Sequence, residues 1–396
     1  MDETIRFDVM MVGPFPSDPR QIEGGVQASL FGLGTSLLAD GRVRSLGVLA
    51  TPHRPTDGIV RTRVGGIDVT FLDTPARLLF STVLRLPTIV AAVDALDEPL
   101  VHLHGSGIVQ ALTLLACLAK KVPVVWTMHG ITEKEMREAL RRDGGLKAWG
   151  RWLLYTGCER LQLRLSPRIV VDTPYVAEEI AGRSHAVPQT IPQGIFPEEM
   201  AGAINPDRRA PVVVALGVIH PRKGHDLTIR AFARVVARLP EARLIVVGAL
   251  ADPAEFDRLH QTVAELGLGD RVEIRVGVPR DGVLAALAEA RVFALHSQEE
   301  SQGIALCEAM AAGLPVVATR VGGIPDVVGT GGAGFLVDYG DVDAMADHML
   351  RLLTDDALFR TTTEAARKRA DEFAWTAIAA RVLDVYRAAR SALRRA

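Results

Sequence analysis

Cysteine is scarce: Cys117, Cys158 and Cys307 are the three present in 396 residues, widely spaced and without a C-x-x-C pair. Neither a disulfide framework nor a zinc site is expected, and a reducing compartment suits such a chain. Excess charge of either sign is missing as well, with 45 Lys and Arg against 47 Asp and Glu. A balanced surface gives no field to hold nucleic acid, which is excluded as a general partner, and leaves only local patches to speak about others. No apolar run reaches the roughly 18 residues that a membrane-spanning helix needs. The opening MDETIRFDVMMVG is acidic and short of the basic and apolar stretches of an export signal. A cytoplasmic location is expected, with any membrane met from its inner face. The glycine pair after the first strand, Gly24-Gly25, is not part of a G-x-G-x-x-G, so no dinucleotide fingerprint is met there. Solenoid-type repeats and low-complexity tracts are absent.

What the chain does have is length for two α/β domains, each able to bury a core. Short β-branched runs at 7–13, 44–50, 99–105, 122–130 and 167–173 alternate with helical patterns, the rhythm of a parallel sheet covered by helices. A polar, breaker-rich stretch, Asn205 to Pro211, interrupts it. The rhythm then restarts at 212–217, 242–248, 271–277, 291–297 and 314–320. The expected organisation is an N-terminal domain over 1–207 on the acceptor side, a ligand-binding domain over 208–375, and a C-terminal helix over 376–396 capping the pair.

The strongest motif is HSQEESQGIALCEAMAAGLPVVATRVGGIPDVV, residues 296–328, with seven residues between Glu300 and Glu308. A strand ending at 296 and a helix over 304–312 put Glu300 in a loop at the carboxyl edge of a sheet, where open α/β sheets bind ligands. Glu308 falls about one turn inside the helix. Gly303 permits close backbone approach, and the amides of Gly303, Ile304 and Ala305 form a helix N-terminus suited to a diphosphate. Carboxylates accept from vicinal hydroxyls of a ribose or hexose. An isolated Glu pair is ordinarily solvated. Here the small apolar run Ala309 to Gly313 marks the helix as buried, so a Glu within it needs a partner.

Arg222 and Lys223, in GVIHPRKGHD at 217–226, follow the first strand of the second half and precede Gly224 and a helix. Cations at such a βα turn neutralise phosphate, Lys as a point charge and Arg as a fork; solvated surface cations are the plain alternative. Gly24 and Gly25 open a helix after the first strand, a weaker phosphate signal. His129 ends a strand at the carboxyl edge and is placed to hydrogen-bond a substrate hydroxyl. His102 and His104 form H-x-H without a third ligand, and Asp341-Val342-Asp343 suits helix capping better than metal binding. No metal site is therefore expected. Between Arg141 and Arg168, cations alternate with Trp149, Trp152, Leu153, Leu154 and Tyr155. That mixture suits either an anionic membrane surface or a helix packed with snorkelling arginines.

On these residues the chain resembles glycosyltransferase family 4, the retaining nucleotide-sugar transferases of GT-B fold, in which two Rossmann-like doubly wound domains face each other across a cleft. The likeness runs over nearly the whole chain and is most specific at Glu300 to Glu308 with the following EAMAAGLPVVAT. It implies that Glu300 contacts the donor sugar and Glu308 the nucleotide ribose. It further implies that Gly303 and Ile304 make backbone contacts to phosphate and sugar, that Lys223 meets the diphosphate, that Gly25 is the N-terminal glycine-loop contact to the donor, that His129 lies near the sugar, and that Val278 lies beside the base. The implied partners are a nucleotide-sugar donor and a glycan or lipid-linked acceptor, with no metal or cofactor. Two positions depart from the family: Val218 stands where an arginine usually follows Gly217, with Arg222 as its expected substitute, and Gln193 stands where asparagine is usual. Two alternatives remain from the sequence, a sugar-nucleotide epimerase on the same fold and a non-catalytic nucleotide-sugar-binding scaffold. A phosphorylase would need a pyridoxal-phosphate lysine context that is not found.

Overall fold

The computed structural model describes residues 7–19, 22, 24–51, 58–72, 85–95, 99–203 and 210–393. The chain divides into two compact units, Met1–Gly194 with Trp375–Ala396, and Ile195–Ala374. The domain boundary expected between 207 and 208 falls outside the described residues.

In the first unit the strands are β1 Phe7–Pro14, β2 Val43–Thr51, β3 Val60–Val64, β4 Ile67–Phe71, β5 Pro99–His104, β6 Val124–Met128, β7 Ile169–Val171 and β8 Gln189–Thr190. Their order across the sheet is β3-β4-β2-β1-β5-β6-β7-β8. Neighbours pair in parallel except β3 and β4, an antiparallel hairpin at the edge. Its turn uses Gly65 at φ +56° and Gly66 at φ +84°, the consecutive positive-φ pair that lets a two-residue turn follow the strand twist. The last helix, Trp375–Leu393, packs on helix Gly25–Asp40 and β6. A Cβ at Gly32 would lie 2.1 Å from Trp375 Nε1, and one at Gly194 would lie 2.5 Å from its Cδ2. Two glycines thus make the slot for this indole, and the helix belongs by its packing to the first unit.

The second unit carries β9 Val212–Leu216, β10 Arg243–Gly248, β11 Val272–Val276, β12 Val292–Leu295, β13 Val316–Thr319 and β14 Gly334–Val337. All pair in parallel, in the order β11-β10-β9-β12-β13-β14. Every residue of β9 is buried, as a central strand covered on both faces requires. Val212, Val214 and Leu216 point into a core with Leu306, Ala309 and Met310 of helix Ile304–Ala311. Val213 and Ala215, one residue out of phase, join Ile229, Phe232 and Met345 on the other face. Complete burial of Leu306 and Met310 contributes about 1.5–3 kcal/mol each. The chain runs outward from β9 to β11 and then returns to the opposite side of β9 as β12. The strand order therefore reverses between β9 and β12, the place at the carboxyl edge where open α/β sheets bind ligands. No helix among the described residues is long and apolar enough to cross a membrane.

Candidate functional site

The loops after β9 and β12 carry the two strongest sequence signals, and the fold joins them. Lys223, in the short turn Pro221–Lys223 after β9, reaches Glu300, in the loop after β12, with Nζ 2.5 Å from Oε1. Ser297 donates its hydroxyl to the same oxygen at 2.9 Å, and Thr319 Oγ1 holds the Ser297 carbonyl at 2.7 Å. Glu300 is buried. Burial alone would raise its carboxyl above the usual range. The charge and hydrogen bond of Lys223, the Ser297 hydroxyl and the charge of Arg222 outweigh it, and the net shift is downward. An ionised carboxylate is thus held inside the protein beside a cation.

Backbone contact keeps the two loops together. Gln298 donates its amide to the Arg222 carbonyl at 2.8 Å, and Gly323 donates to the Glu300 carbonyl at 2.9 Å. At Gly224, φ +61°, an added Cβ would meet the His296 carbonyl oxygen at 2.0 Å; at Gly322, φ +53°, it would meet that of Glu300 at 2.0 Å. Both need glycine for conformation and for space. His225 and His296 lie in the same layer, where burial lowers each imidazole to about 4 and keeps it neutral.

Gly303 is the N-cap of helix Ile304–Ala311, at φ +84°, and no side chain caps this end. The site of Gly303's missing Cβ is 3.9 Å from Glu300 Cγ, so the carboxylate stem lies beside the helix N-terminus. Ile304 and Ala305 are half-buried against the core. Glu308 sits further along, and its partner is Arg280, with Nη1 2.6 Å from Oε1. Arg280 also reaches Glu199 at 3.3 Å. The buried helix did demand a partner for Glu308, and a protein cation supplies it. Arg280 was missed in the sequence because nothing local ties it to Glu308. Its one signal is its place, two residues past Val278, at the carboxyl end of β11. Val278 itself is half-buried against the same core, next to Gly282.

In the first unit, Gly25 is an exposed first residue of its helix and follows an N-cap, Gly24, that makes no side-chain cap. His129 lies past the end of β6 with a buried side chain, its Nε2 2.9 Å from Nδ1 of His104. Its Nδ1 is 3.7 Å from Oδ1 of Asp172 and has no hydrogen-bond partner among the described residues. Gln193 donates to the other Asp172 oxygen at 2.6 Å. Nε2 is thus engaged by His104, and the buried Nδ1 faces the Asp172 carboxylate. His102 turns to Tyr386 and Thr127, at 2.8 and 2.7 Å, so it serves packing of the last helix, while His104 turns to His129. Asp341 accepts from the Ala344 amide at 2.9 Å and is a helix cap, as its spacing indicated.

Comparison with known proteins agrees with this architecture. Residues 23–199 match the family model described as Glycosyltransferase Family 4, and residues 198–369 the one described as Glycosyl transferases group 1. A D-inositol 3-phosphate glycosyltransferase of Kribbella flavida is 32% identical over 76% of this chain and 74% of its own length. A phosphatidyl-myo-inositol mannosyltransferase of Mycolicibacterium smegmatis is 29% identical over 95% and 92%. Among solved structures, the Anabaena protein HepE in complex with UDP and glucose superposes with a TM-score of 0.72, at 19% identity, covering 96% of this chain and 100% of that one. Two largely parallel-sheet units, a motif-bearing carboxyl edge in the second and relatives of this extent lead to one assignment: the chain belongs to glycosyltransferase family 4 and is a glycosyltransferase of GT-B fold.

Proposed function

We propose that the enzyme transfers a hexose-type sugar from a nucleoside diphosphate donor, with retention of anomeric configuration, to a hydroxyl of a glycan or lipid-linked acceptor at the inner face of a membrane. The observation that carries this is the Lys223–Glu300 pair at the point where the strand order of the second unit reverses, beside an uncapped helix N-terminus. Lys223, Arg222 and the amides of Gly303, Ile304 and Ala305 stabilise charge on the departing diphosphate. Arg222 takes the place of the arginine that Val218 replaces. Glu300 accepts from hydroxyls of the sugar, Glu308 from those of the ribose, and Val278 borders the base. Gly25 and His129 are the first-unit residues assigned to the phosphate and the sugar. The bond from the anomeric carbon to the diphosphate breaks, that to the acceptor oxygen forms, and the acceptor proton passes to the departing phosphate oxygen. This chemistry draws on side-chain cations and backbone dipoles, without a metal or cofactor. The complex of HepE with UDP and glucose supports a nucleotide-linked donor for this chain.

The test is turnover of UDP-, GDP- and ADP-sugars with glycan and lipid-linked acceptors, followed by the anomeric coupling constant of the product. Acceptor-dependent release of nucleoside diphosphate with a retained anomer is the expected result. An inverted product refutes the retaining mechanism, and conversion of the donor to its epimer without acceptor and without release of nucleoside diphosphate makes the enzyme an epimerase.

A further inference from the structure

Helices Thr132–Asp143 and Gly145–Leu165 form a hairpin after β6. The Thr132 amide donates to Glu159 at 2.6 Å, Gln162 donates to the Gly105 carbonyl at 3.3 Å, and the position of a Cβ on Gly107 is 3.8 Å from the Tyr155 ring. These contacts put residues 155–162 level with the carboxyl ends of β5 and β6. The helix then descends to β7, so residues 145–154 lie past the carboxyl edge, about 15 Å of overhanging helix. On this overhang Leu146 is 88% exposed, Trp149 52% and Leu153 51%. Their spacing of three and four residues puts them on one face. Exposed Lys147 and Arg151 stand on another exposed side of the same helix, roughly 100° and 140° round from Leu146, and exposed Arg141 and Arg142 end the preceding helix. From 139 to 158 the sequence sets these four cations against one carboxylate, Asp143, in a chain whose overall charge is slightly negative. Large exposed apolar side chains cost free energy in water and, with cations on the same overhang, gain it at an anionic bilayer, where an indole settles at headgroup depth.

We propose that this overhang docks the enzyme on an anionic lipid bilayer, with Trp149, Leu146 and Leu153 entering the interface and Lys147, Arg151, Arg141 and Arg142 meeting lipid phosphates. The acceptor half of the proposed function is what this surface serves, because it lies past the same sheet edge that carries His129. A lipid-linked acceptor would be presented there without leaving the bilayer.

The experiment uses the full chain with vesicles of phosphatidylcholine alone or mixed with phosphatidylglycerol. Sedimentation and a blue shift of tryptophan emission should appear with the anionic vesicles and fade as salt is raised. Leu146→Ser/Trp149→Ser/Leu153→Ser should weaken binding by about tenfold or more, and Lys147→Glu/Arg151→Glu should abolish the preference for anionic lipid. Equal binding by the triple variant, or no binding by the native chain, overturns the proposal. So does a native chain that is dimeric by light scattering, binds no vesicles, and becomes monomeric in the triple variant, since the face then belongs to a second copy. Nucleoside diphosphate titration of the triple variant keeps the readings apart: retained nucleotide affinity with lost vesicle binding isolates the surface, whereas a failed donor site leaves vesicle binding intact.

Discussion

Replacing Lys223 by Met removes the cation from a carboxylate that stays buried. Glu300 then keeps Ser297 as a donor but loses its ion pair, and burial, the largest influence on its ionisation, is opposed mainly by Arg222 and Ser297. Breaking a buried pair by deleting one partner costs about 3–5 kcal/mol. Lys223 retains 17% exposure, so water reaches its place and the expected loss is nearer about 2–3 kcal/mol. Changing Glu300 to Gln in the same chain removes the stranded charge, and Lys223→Met/Glu300→Gln should recover about half of that loss or more. All four tryptophans, Trp126, Trp149, Trp152 and Trp375, lie in the first unit, so intrinsic fluorescence does not watch the site. Amide hydrogen exchange over residues 292–319 does, because it reads local opening free energies. Unchanged protection in Lys223→Met, or a double variant no better than the single, would refute the claim that the pair holds an ionised buried carboxylate.

Two further outcomes follow from the same geometry. Gly224→Ala would force a Cβ to 2.0 Å from the His296 carbonyl at a positive φ, so a loss of more than about 3 kcal/mol is expected; thermal unfolding with an unshifted midpoint would contradict the close approach. His225 and His296, lowered to about 4 by burial, and His102, lowered to about 3 by burial and the nearby His129, are neutral in the fold and protonate more readily when unfolded. Their stabilisation is complete above pH 6.5 and drains as pH falls toward 4, on the order of 1 kcal/mol per pH unit for each; urea titrations between pH 7 and 4.5 that show flat stability would contradict it.

The alternating architecture was legible because strands such as β9 and β12 are covered on both faces, and such strands must be continuous apolar runs. The placement of Lys223 and Glu300 in loops at the carboxyl edge, and of Glu308 inside the helix that Gly303 caps, was legible for a related reason, since polar residues stand there between apolar runs. The β3–β4 hairpin escaped, although Gly65-Gly66 marks its turn. Arg61 and Arg63 give β3 the exposed, charged character of an edge strand, which resembles a loop. Short β14 opens with Gly334, chosen because any Cβ there would meet the Val316 carbonyl oxygen at 2.2 Å, and glycine weakens a strand signal. Pairing of Arg280 with Glu308, stacking of His104 on His129 and the seat of Trp375 between Gly32 and Gly194 join residues far apart in sequence. Periodicity reports which face of an element is buried and is silent on what covers it, so the packing of the last helix on helix Gly25–Asp40 and β6 was not legible in it.

Calorimetric titration with UDP, GDP and ADP, on the native enzyme and on Lys223→Ala, addresses the central claim most directly. Selective binding of one nucleotide by the native enzyme, weakened about tenfold or more in the variant, is the predicted result. Binding of none of them, or equal binding by both proteins, would contradict a diphosphate site built on Lys223 and the helix N-terminus at Gly303.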